Sequence, residues 1–164
     1  MAFKDDKTGL AVDPPAPFVA TLAQSRNNDV TVAVDSTTGR PAPAGASPHL
    51  CLIAFKAEAA NAAYTQAALN ALVDDKAWRE QARAKLQMIF AIDEETTFNL
   101  VGARGVEYRV TPVFGPQADR AHVVLSILET PRGRISQSCA LAKSDSAAAL
   151  PQVRAIRSSI TPPR

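Results

Sequence analysis

The sequence contains few residues of three types that often form catalytic or binding sites in proteins: cysteine, histidine and the aromatics. Two of its 164 residues are cysteine, two are histidine, and only 5% are aromatic. With so few aromatic side chains, the core must be built mainly from Val, Leu and Ile with a few Phe. A net charge of +2 is too mild for a dedicated nucleic-acid binder, which usually shows a basic stripe. We therefore predict no nucleic-acid partner.

Long apolar runs are missing as well. No segment reaches the roughly 18 apolar residues of a membrane span. The opening "MAFKDDKTGL" has no apolar stretch of the kind that signal peptides carry. We predict no membrane span, while a removed signal or lipid anchor stays open. The length and the 46% apolar content fit a single domain over residues 1–164.

Alternating apolar residues predict strands in two regions of the chain. In the first, a proline-interrupted edge strand within residues 9–24 is followed by the alternating "VTVAV" and by the apolar run 50–57. In the second, residues 96–142 alternate again, and "AHVVLSILE" can pair with "ISQSCALA" across a five-residue turn, "TPRGR". Both regions therefore indicate strands that follow one another as meanders.

Helical periodicity marks two other regions. Over about residues 65–90, apolar side chains recur at spacings of three and four as far as Ile89 and Phe90, which predicts one kinked helix or two consecutive helices. A terminal helix is predicted at about residues 146–160, ended by prolines. Residues 37–49 are rich in Pro, Gly and Ala, and we predict a mobile loop there.

This order of elements predicts the fold class. Three strands, a helical region, four strands and a final helix give an α+β protein, because strands in meanders pair antiparallel and helices then pack against the sheet. We expect about six to seven strands.

The segment "VGARG" is the one pattern that looks like a functional loop. Its G-x-x-G could cradle a phosphate, but an RNA clamp, a dinucleotide loop or a P-loop each needs a helix directly after it. Here "VEYRV" alternates with period two instead. We therefore interpret Gly102 and Gly105 as the positive-φ residues of a hairpin turn, with Arg104 exposed at its tip as a candidate contact residue.

The two cysteines both belong to apolar strand faces. Cys51 shares its face with Ile53 and Phe55, and Cys139 shares its face with Leu141. If the two strands are neighbours, the thiols could form a disulfide, which would indicate an oxidising compartment. The alternative is two buried free thiols in a cytoplasmic protein. We favour the disulfide.

Other chemistries have weak support in the sequence. His49, Cys51, His122 and Cys139 could together supply metal ligands, but their spacing matches no standard ligand pair. There is no G-x-S-x-G, and neither histidine lies in a recognisable triad context. We predict no catalytic residue, no metal site and no cofactor.

Two further arginines are candidates for a contact surface. Arg132 and Arg134 lie at the predicted hairpin tip in "TPRGR", where a basic pair could meet a partner. The competing interpretation is a solvated turn.

Three segments together resemble proteins of the PsbP-like fold superfamily. "GLAVDPPAPF" resembles the opening strand of that fold, "VGARGVEYRV" its entry to the central meander, and "LPQVRAIRSSITPP" its closing helix. The resemblance covers nearly the whole chain as a layout and is to the small bacterial envelope-type members. It implies an α-β-α sandwich with a curved, mainly antiparallel sheet. It also implies no shared catalytic residue, because members of the superfamily generally act in assembly or binding.

From these observations we expect a non-enzymatic binding or assembly module of the bacterial cell envelope that acts through a protein–protein contact surface. The alternative is a periplasmic protein that binds a small ligand or a metal. An enzyme with an unrecognised site ranks third. The expected location is the periplasm or cell envelope, with the cytoplasm as the alternative.

Overall fold

A computed structural model describes residues 1–116 and 118–164. Within these residues, ten strands form two sheets, a small one of β1, β2 and β10 and a large antiparallel one in the order β3-β4-β5-β9-β8-β7-β6. The strands span Phe3–Lys4 (β1), Ala11–Val12 (β2), Phe18–Ala23 (β3), Val30–Ser36 (β4), Cys51–Ala57 (β5), Phe90–Leu100 (β6), Ala103–Pro112 (β7), Ala121–Thr130 (β8), Gly133–Ala142 (β9) and Ile160–Thr161 (β10). The predicted α+β class, the mainly antiparallel sheet of about six to seven strands and the β8–β9 pairing are confirmed.

In the described part of the chain, three α-helices accompany the sheet: Gln66–Leu72 (α1), Lys76–Leu86 (α2) and Ser146–Ser158 (α3). The region 65–90 thus holds two consecutive helices, because the Asp75 side chain accepts a hydrogen bond from the Trp78 N–H and starts α2 afresh. The predicted helical stripe was wrong at its end. Ile89 lies in a turn, and Phe90 pairs with Pro112 as the first residue of β6.

The helices lie on opposite faces of the large sheet and give it two hydrophobic cores. On what we call the α3 face, α3 and the small sheet pack on apolar residues of all seven strands of the large sheet. On the α2 face, α1 and α2 pack over β6, β7 and β8 around Val73, Val106, Tyr108 and Val110. This is the predicted α-β-α sandwich.

Both predicted turns are tighter than the sequence indicated. The β6–β7 hairpin turns on Val101 and Gly102, which both have positive φ, whereas Gly105 lies inside β7. A Cβ on Gly105 would lie 2.4 Å from the Phe98 ring, so this glycine is needed for close packing rather than for the turn.

The β8–β9 hairpin likewise needs only Pro131 and Arg132, because Thr130 already pairs with Gly133. At Gly133 the neighbouring strand comes so close that a Cβ would lie 2.1 Å from the Lys56 carbonyl oxygen. Arg134 is therefore a strand residue and not a tip residue.

The connection 37–49 crosses the end of the sheet. Pro43 forms an isolated bridge with Leu141, and the Asp35 carboxylate bonds both the His49 ring, at 2.7 Å, and the Leu50 N–H, at 2.8 Å. These contacts tie its ends and middle to the sheet, while its mobility stays a prediction. None of the helices within the described residues is long and apolar enough to cross a membrane.

Candidate functional site

The α2 face contains a cleft between α2 and the sheet, which we call the α2 cleft. It is lined by Trp78, Gln81, Ala82, Lys85, Leu86, Val106, Tyr108, Ile127, Glu129 and Arg134. Its volume is about 230 Å³. Strand alternation builds the floor, since Val106 and Tyr108 point to this face from β7 while Glu107 points to the other. The roof is the apolar stripe of α2 at Trp78, Ala82 and Leu86.

A carboxylate clamp holds α2 over this cleft. Glu95 of β6 accepts hydrogen bonds from Arg79 Nε at 2.9 Å and from Arg83 Nε at 2.7 Å. The two arginines are four residues apart on α2 and so lie on one side of the helix. Burial by itself raises the pKa of Glu95, but the bonds and charges of the two arginines outweigh it and hold the pKa below its usual value.

Tyr108 stands opposite Glu95 in the β6–β7 pairing and is almost fully buried. Burial raises the pKa of its phenol, and the negative charge of Glu95 raises it further. The phenol is therefore neutral at ordinary pH, so the floor of the cleft carries no negative charge at this position.

A second feature is an exposed apolar end, which we define as Met88, Ile89, Val113 and Phe114. Their exposed fractions are 74%, 53%, 49% and 72%. The two segments are held side by side, because the Val113 N–H donates to the Ile89 carbonyl at 3.2 Å. A groove of about 290 Å³ adjoins them, with Phe90, Pro112 and Phe114 on one side and Ala44–Ser47 of the 37–49 connection on another.

The sequence interpretation missed the apolar end for a specific reason. Ile89 fitted the helical stripe of the preceding helix, and Phe114 followed a strand whose end could not be located from alternation. One feature of the sequence could have indicated the apolar end: Val113 and Phe114 lie between Pro112 and Gly115. Proline and glycine so close together indicate that the strand ends there, which leaves the two apolar side chains outside the sheet.

The predicted disulfide is present. Cys51 and Cys139 face each other on neighbouring strands β5 and β9, with Cα atoms 4.1 Å apart, and their sulfurs are bonded. The Ala140 N–H donates to the Leu50 carbonyl at 3.0 Å, so the cysteines occupy a non-hydrogen-bonded pair, where Cα atoms approach most closely. The bond is fully buried on the α3 face.

A second clamp ties α3 to the sheet. Glu107 of β7 is completely buried and accepts hydrogen bonds from Arg154, at 2.7 Å from Nη2, and from Arg157. The Arg157 guanidinium also lies 3.9 Å from the centre of the Phe98 ring. Burial raises the pKa of Glu107, but the two arginines outweigh it and hold the pKa below its usual value.

The structure assembles a Ser–His–Asp row that the sequence did not indicate. His122 Nδ1 lies 2.5 Å from Ser146 Oγ, and its Nε2 lies 3.0 Å from Asp93 Oδ2. A bulge in β6 at Asp93 turns that carboxylate toward β8. In hydrolytic triads the serine meets Nε2 and the acid meets Nδ1, the reverse of this arrangement. Ser146 is moreover buried in the first turn of α3, so the row fastens the helix start to the sheet.

The predicted contact arginines are not brought together as one patch. Arg104 is not at the hairpin tip. It donates to Asp74 at 2.9 Å and its N–H donates to Asn70, which fastens the α1–α2 region. Arg132 does lie in a turn, where it bonds the Arg164 carbonyl. Arg134 donates to Glu129 at 2.6 Å and lines the α2 cleft.

The residues considered as metal ligands are dispersed. Both cysteines are used in the disulfide, His49 bonds Asp35, and His122 bonds Asp93 and Ser146. Over residues 1–116 and 118–164, no three His, Cys, Asp or Glu side chains are grouped so as to hold a metal ion.

Comparison with known proteins identifies the fold. No protein-family model matches the sequence, and no curated protein matches it. The solution structure of CyanoP, the cyanobacterial PsbP of Synechocystis sp. PCC 6803, matches with a TM-score of 0.58 and 14% identity, over 99% of this chain and 91% of that one. The chain has the PsbP-like fold. The predicted resemblance is thus confirmed, and at this identity it extends to the fold alone.

Two other bacterial structures match less closely. PA94 from Pseudomonas aeruginosa, described as a protein of unknown function and putative regulator, has a TM-score of 0.47 and 11% identity, over 88% of this chain and 98% of its own. A protein from Bacteroides thetaiotaomicron has a TM-score of 0.44 and 10% identity, over 99% of this chain and 48% of its own.

Proposed function

We propose that this chain is a non-enzymatic binding module of the bacterial cell envelope that docks a protein partner on its apolar end. The observation that carries the proposal is the exposure of Met88, Ile89, Val113 and Phe114 on two adjacent segments. Large apolar side chains grouped on a surface mark interaction sites, and Met and Phe are enriched in the cores of protein interfaces.

The surrounding charges favour a protein over a lipid surface as the partner. Glu94 and Arg109 form an ion pair on the strands that lead to the apolar end, and Asp119 and Arg120 follow it in the chain. Lipid-binding faces carry mainly Lys and Arg, because they meet anionic headgroups. Charges of both signs around an apolar centre are typical of the polar rim of a protein interface.

The compartment is inferred from the disulfide. Bonds such as Cys51–Cys139 form and persist in oxidising compartments and are rare in the cytoplasm, which supports the periplasm or cell envelope. The burial of Ser146 in the Ser–His–Asp row supports a non-enzymatic role, because a substrate cannot reach that hydroxyl.

A site-specific crosslinking experiment tests the docking surface. A photoreactive side chain is placed at Phe114 and, as a matched control, at Leu22, which is 69% exposed on the edge strand β3. We expect one envelope protein to crosslink from position 114 and not from position 22. Crosslinks of equal yield at both positions would contradict the proposal.

Quantitative binding then follows with the identified partner. Phe114→Ser should weaken binding by about tenfold or more, as expected for a central apolar anchor, whereas Leu22→Ser should leave it unchanged. Vesicles containing anionic lipid serve as the competing target. Vesicle binding that is lost in Phe114→Ser, without any protein crosslink, would overturn a protein partner in favour of a membrane.

A further inference from the structure

The α2 cleft is an incompletely filled space under a well-anchored helix. None of the α2 residues, all of which are described, is buried, and Trp78 and Leu86 are only partly covered. Amphipathic helices usually seal their apolar stripe against the sheet. Here the Glu95 clamp holds the helix in place while the space beneath the stripe stays accessible.

The size of the cleft limits what can occupy it. Cavities of about 150 Å³ lined by aliphatic and aromatic groups can take up benzene, and drug-sized ligands need about 300 Å³ or more. The α2 cleft, at about 230 Å³, lies between these limits. A volume of this size has room for one aromatic ring with a short substituent and is too small to take up a helix of a partner protein.

The lining is apolar on most sides and carries a positive charge on one. Val106, Ile127 and the Trp78 indole offer the surfaces against which an aromatic ring packs well. Of the two cations, Arg134 is paired with Glu129, whereas Lys85 forms no ion pair within residues 1–116 and 118–164. Lys85 lies about one helical turn after Gln81, on the same side of α2. The side-chain amide of Gln81 can also donate a hydrogen bond to a ligand.

We propose that the α2 cleft binds a small carboxylate that carries a single aromatic ring. The ring packs between Trp78 and the sheet, and the carboxylate meets Lys85 and the Gln81 amide. This inference does not rest on the proposed protein-docking function, because it uses a different surface from the apolar end.

The chain carries a built-in reporter for this proposal. Trp78 is its single tryptophan and lines the cleft, so a ligand that enters will change the tryptophan fluorescence. The folded full-length chain is titrated with 3-phenylpropionate, its neutral amide and propionate, and saturation-transfer NMR of the ligand provides a second readout. We expect saturable binding of 3-phenylpropionate, at least about fivefold weaker binding of the amide, and no binding of propionate.

Variants assign the binding to the cleft. Ala82→Leu adds side-chain volume to the roof and should abolish binding, and Lys85→Met should remove the difference between acid and amide. Lys143→Met makes the same charge change away from the cleft and should have no effect. A thermal melt confirms that each variant folds. If Ala82→Leu does not fold, Gln81→Ala takes its place, with weaker binding of the acid expected.

Three outcomes would overturn the proposal. They are the absence of saturation at millimolar 3-phenylpropionate, equal affinity for acid and amide in the unaltered chain, and unchanged binding in Ala82→Leu. Phe114→Ser and Leu22→Ser are expected to bind the ligand as the unaltered chain does. If no ligand binds, the proposed docking function is therefore not contradicted. If no partner docks, the proposed ligand site is likewise not contradicted.

Discussion

On the α3 face, the helix contributes Ala149, Leu150, Val153 and Ile156 as buried residues, and they pack on strands whose inward side chains are buried as well. On the α2 face, seven apolar side chains remain only partly buried, among them Trp78, Leu86 and Ile127. Yet both helices are fastened in the same way, by one glutamate and two arginines three or four residues apart. The clamp fixes where a helix lies, whereas the apolar stripe decides whether the space beneath it is filled.

The largest difference between the two faces is expected when the glutamate of each clamp is replaced. Glu107→Gln leaves Arg157, whose side chain is 12% exposed, without its counter-charge, so we expect a loss of about 3–5 kcal/mol in the free energy of unfolding. Glu95→Gln should cost about 1–2 kcal/mol, because the more exposed Arg83 can turn to water. Urea unfolding at pH 7 measures both. Equal losses would show that the two faces are equally closed.

Truncation of apolar residues compares the packing of the two faces directly. Ile156→Ala on the α3 face should cost about 2–5 kcal/mol, because the residue is fully buried and leaves a cavity. Leu86→Ala on the α2 face should cost less than about 1.5 kcal/mol, since part of that side chain already meets solvent. The same unfolding measurement applies. A cost of Leu86→Ala as large as that of Ile156→Ala would mean that the cleft is closed in solution.

The disulfide belongs to the α3 face and should stabilise the whole domain. Replacing both cysteines with alanine should lower the free energy of unfolding by roughly 2–4 kcal/mol, because the bond links residues 88 positions apart. Binding of 3-phenylpropionate in the α2 cleft should be unchanged at temperatures where the variant is folded. Alkylation of the denatured, unreduced chain followed by mass measurement checks the bond itself, and two modified thiols would contradict it.

Lowering the pH should reduce the stability that both Glu–Arg clamps provide. Each glutamate has a folded pKa below its ordinary value of 4.5, so the unfolded chain takes up protons first as the pH falls. The stability that the pairs provide is therefore present above about pH 4.5 and is lost as the pH falls through the lower folded values. We expect unfolding free energy to fall steeply below pH 4.5, and less steeply in Glu107→Gln. Identical slopes would show that the pKa of Glu107 is not lowered in the folded chain.

Substitutions at the apolar end should have the smallest effect on stability. Phe114→Ser and Met88→Ser alter side chains that are more than 70% exposed, so the change in unfolding free energy should stay within about 0.5 kcal/mol. Thermal melts suffice for this measurement. A larger loss would mean that these residues belong to the core of the α2 face rather than to a docking surface.

Much of the fold could be predicted from local patterns, and the site could not. The alternation in "VEYRV" correctly predicted that a strand follows "VGARG". Spacing alone did not show that the helical stripe stops at Leu86, because a turn and a strand start also place apolar residues three and four positions on. For the same reason Met88 and Ile89 of the apolar end were included in a predicted helix.

The surroundings of the predicted contact arginines could not be predicted from local patterns either. Arg104 was placed at a tip because two glycines flanked it, but the turn uses Val101 and Gly102, and the arginine pairs with Asp74 thirty residues away. No local pattern contains that pairing. The disulfide was predictable only in part, since strand parity put both cysteines on an apolar face without showing that β5 lies beside β9.

By itself, the sequence determined the order of the large sheet's seven strands and of the helical regions, the apolar faces that carry the two cysteines and the need for glycine at the β6–β7 turn, because periodicity and backbone sterics act over a few residues. Only the tertiary structure decided which strands are neighbours, and hence the Cys51–Cys139 bond and both Glu–Arg clamps. It also decided that α2 is held above the sheet without closing on it. These outcomes depend on contacts between segments far apart in the chain, for which local patterns carry no signal.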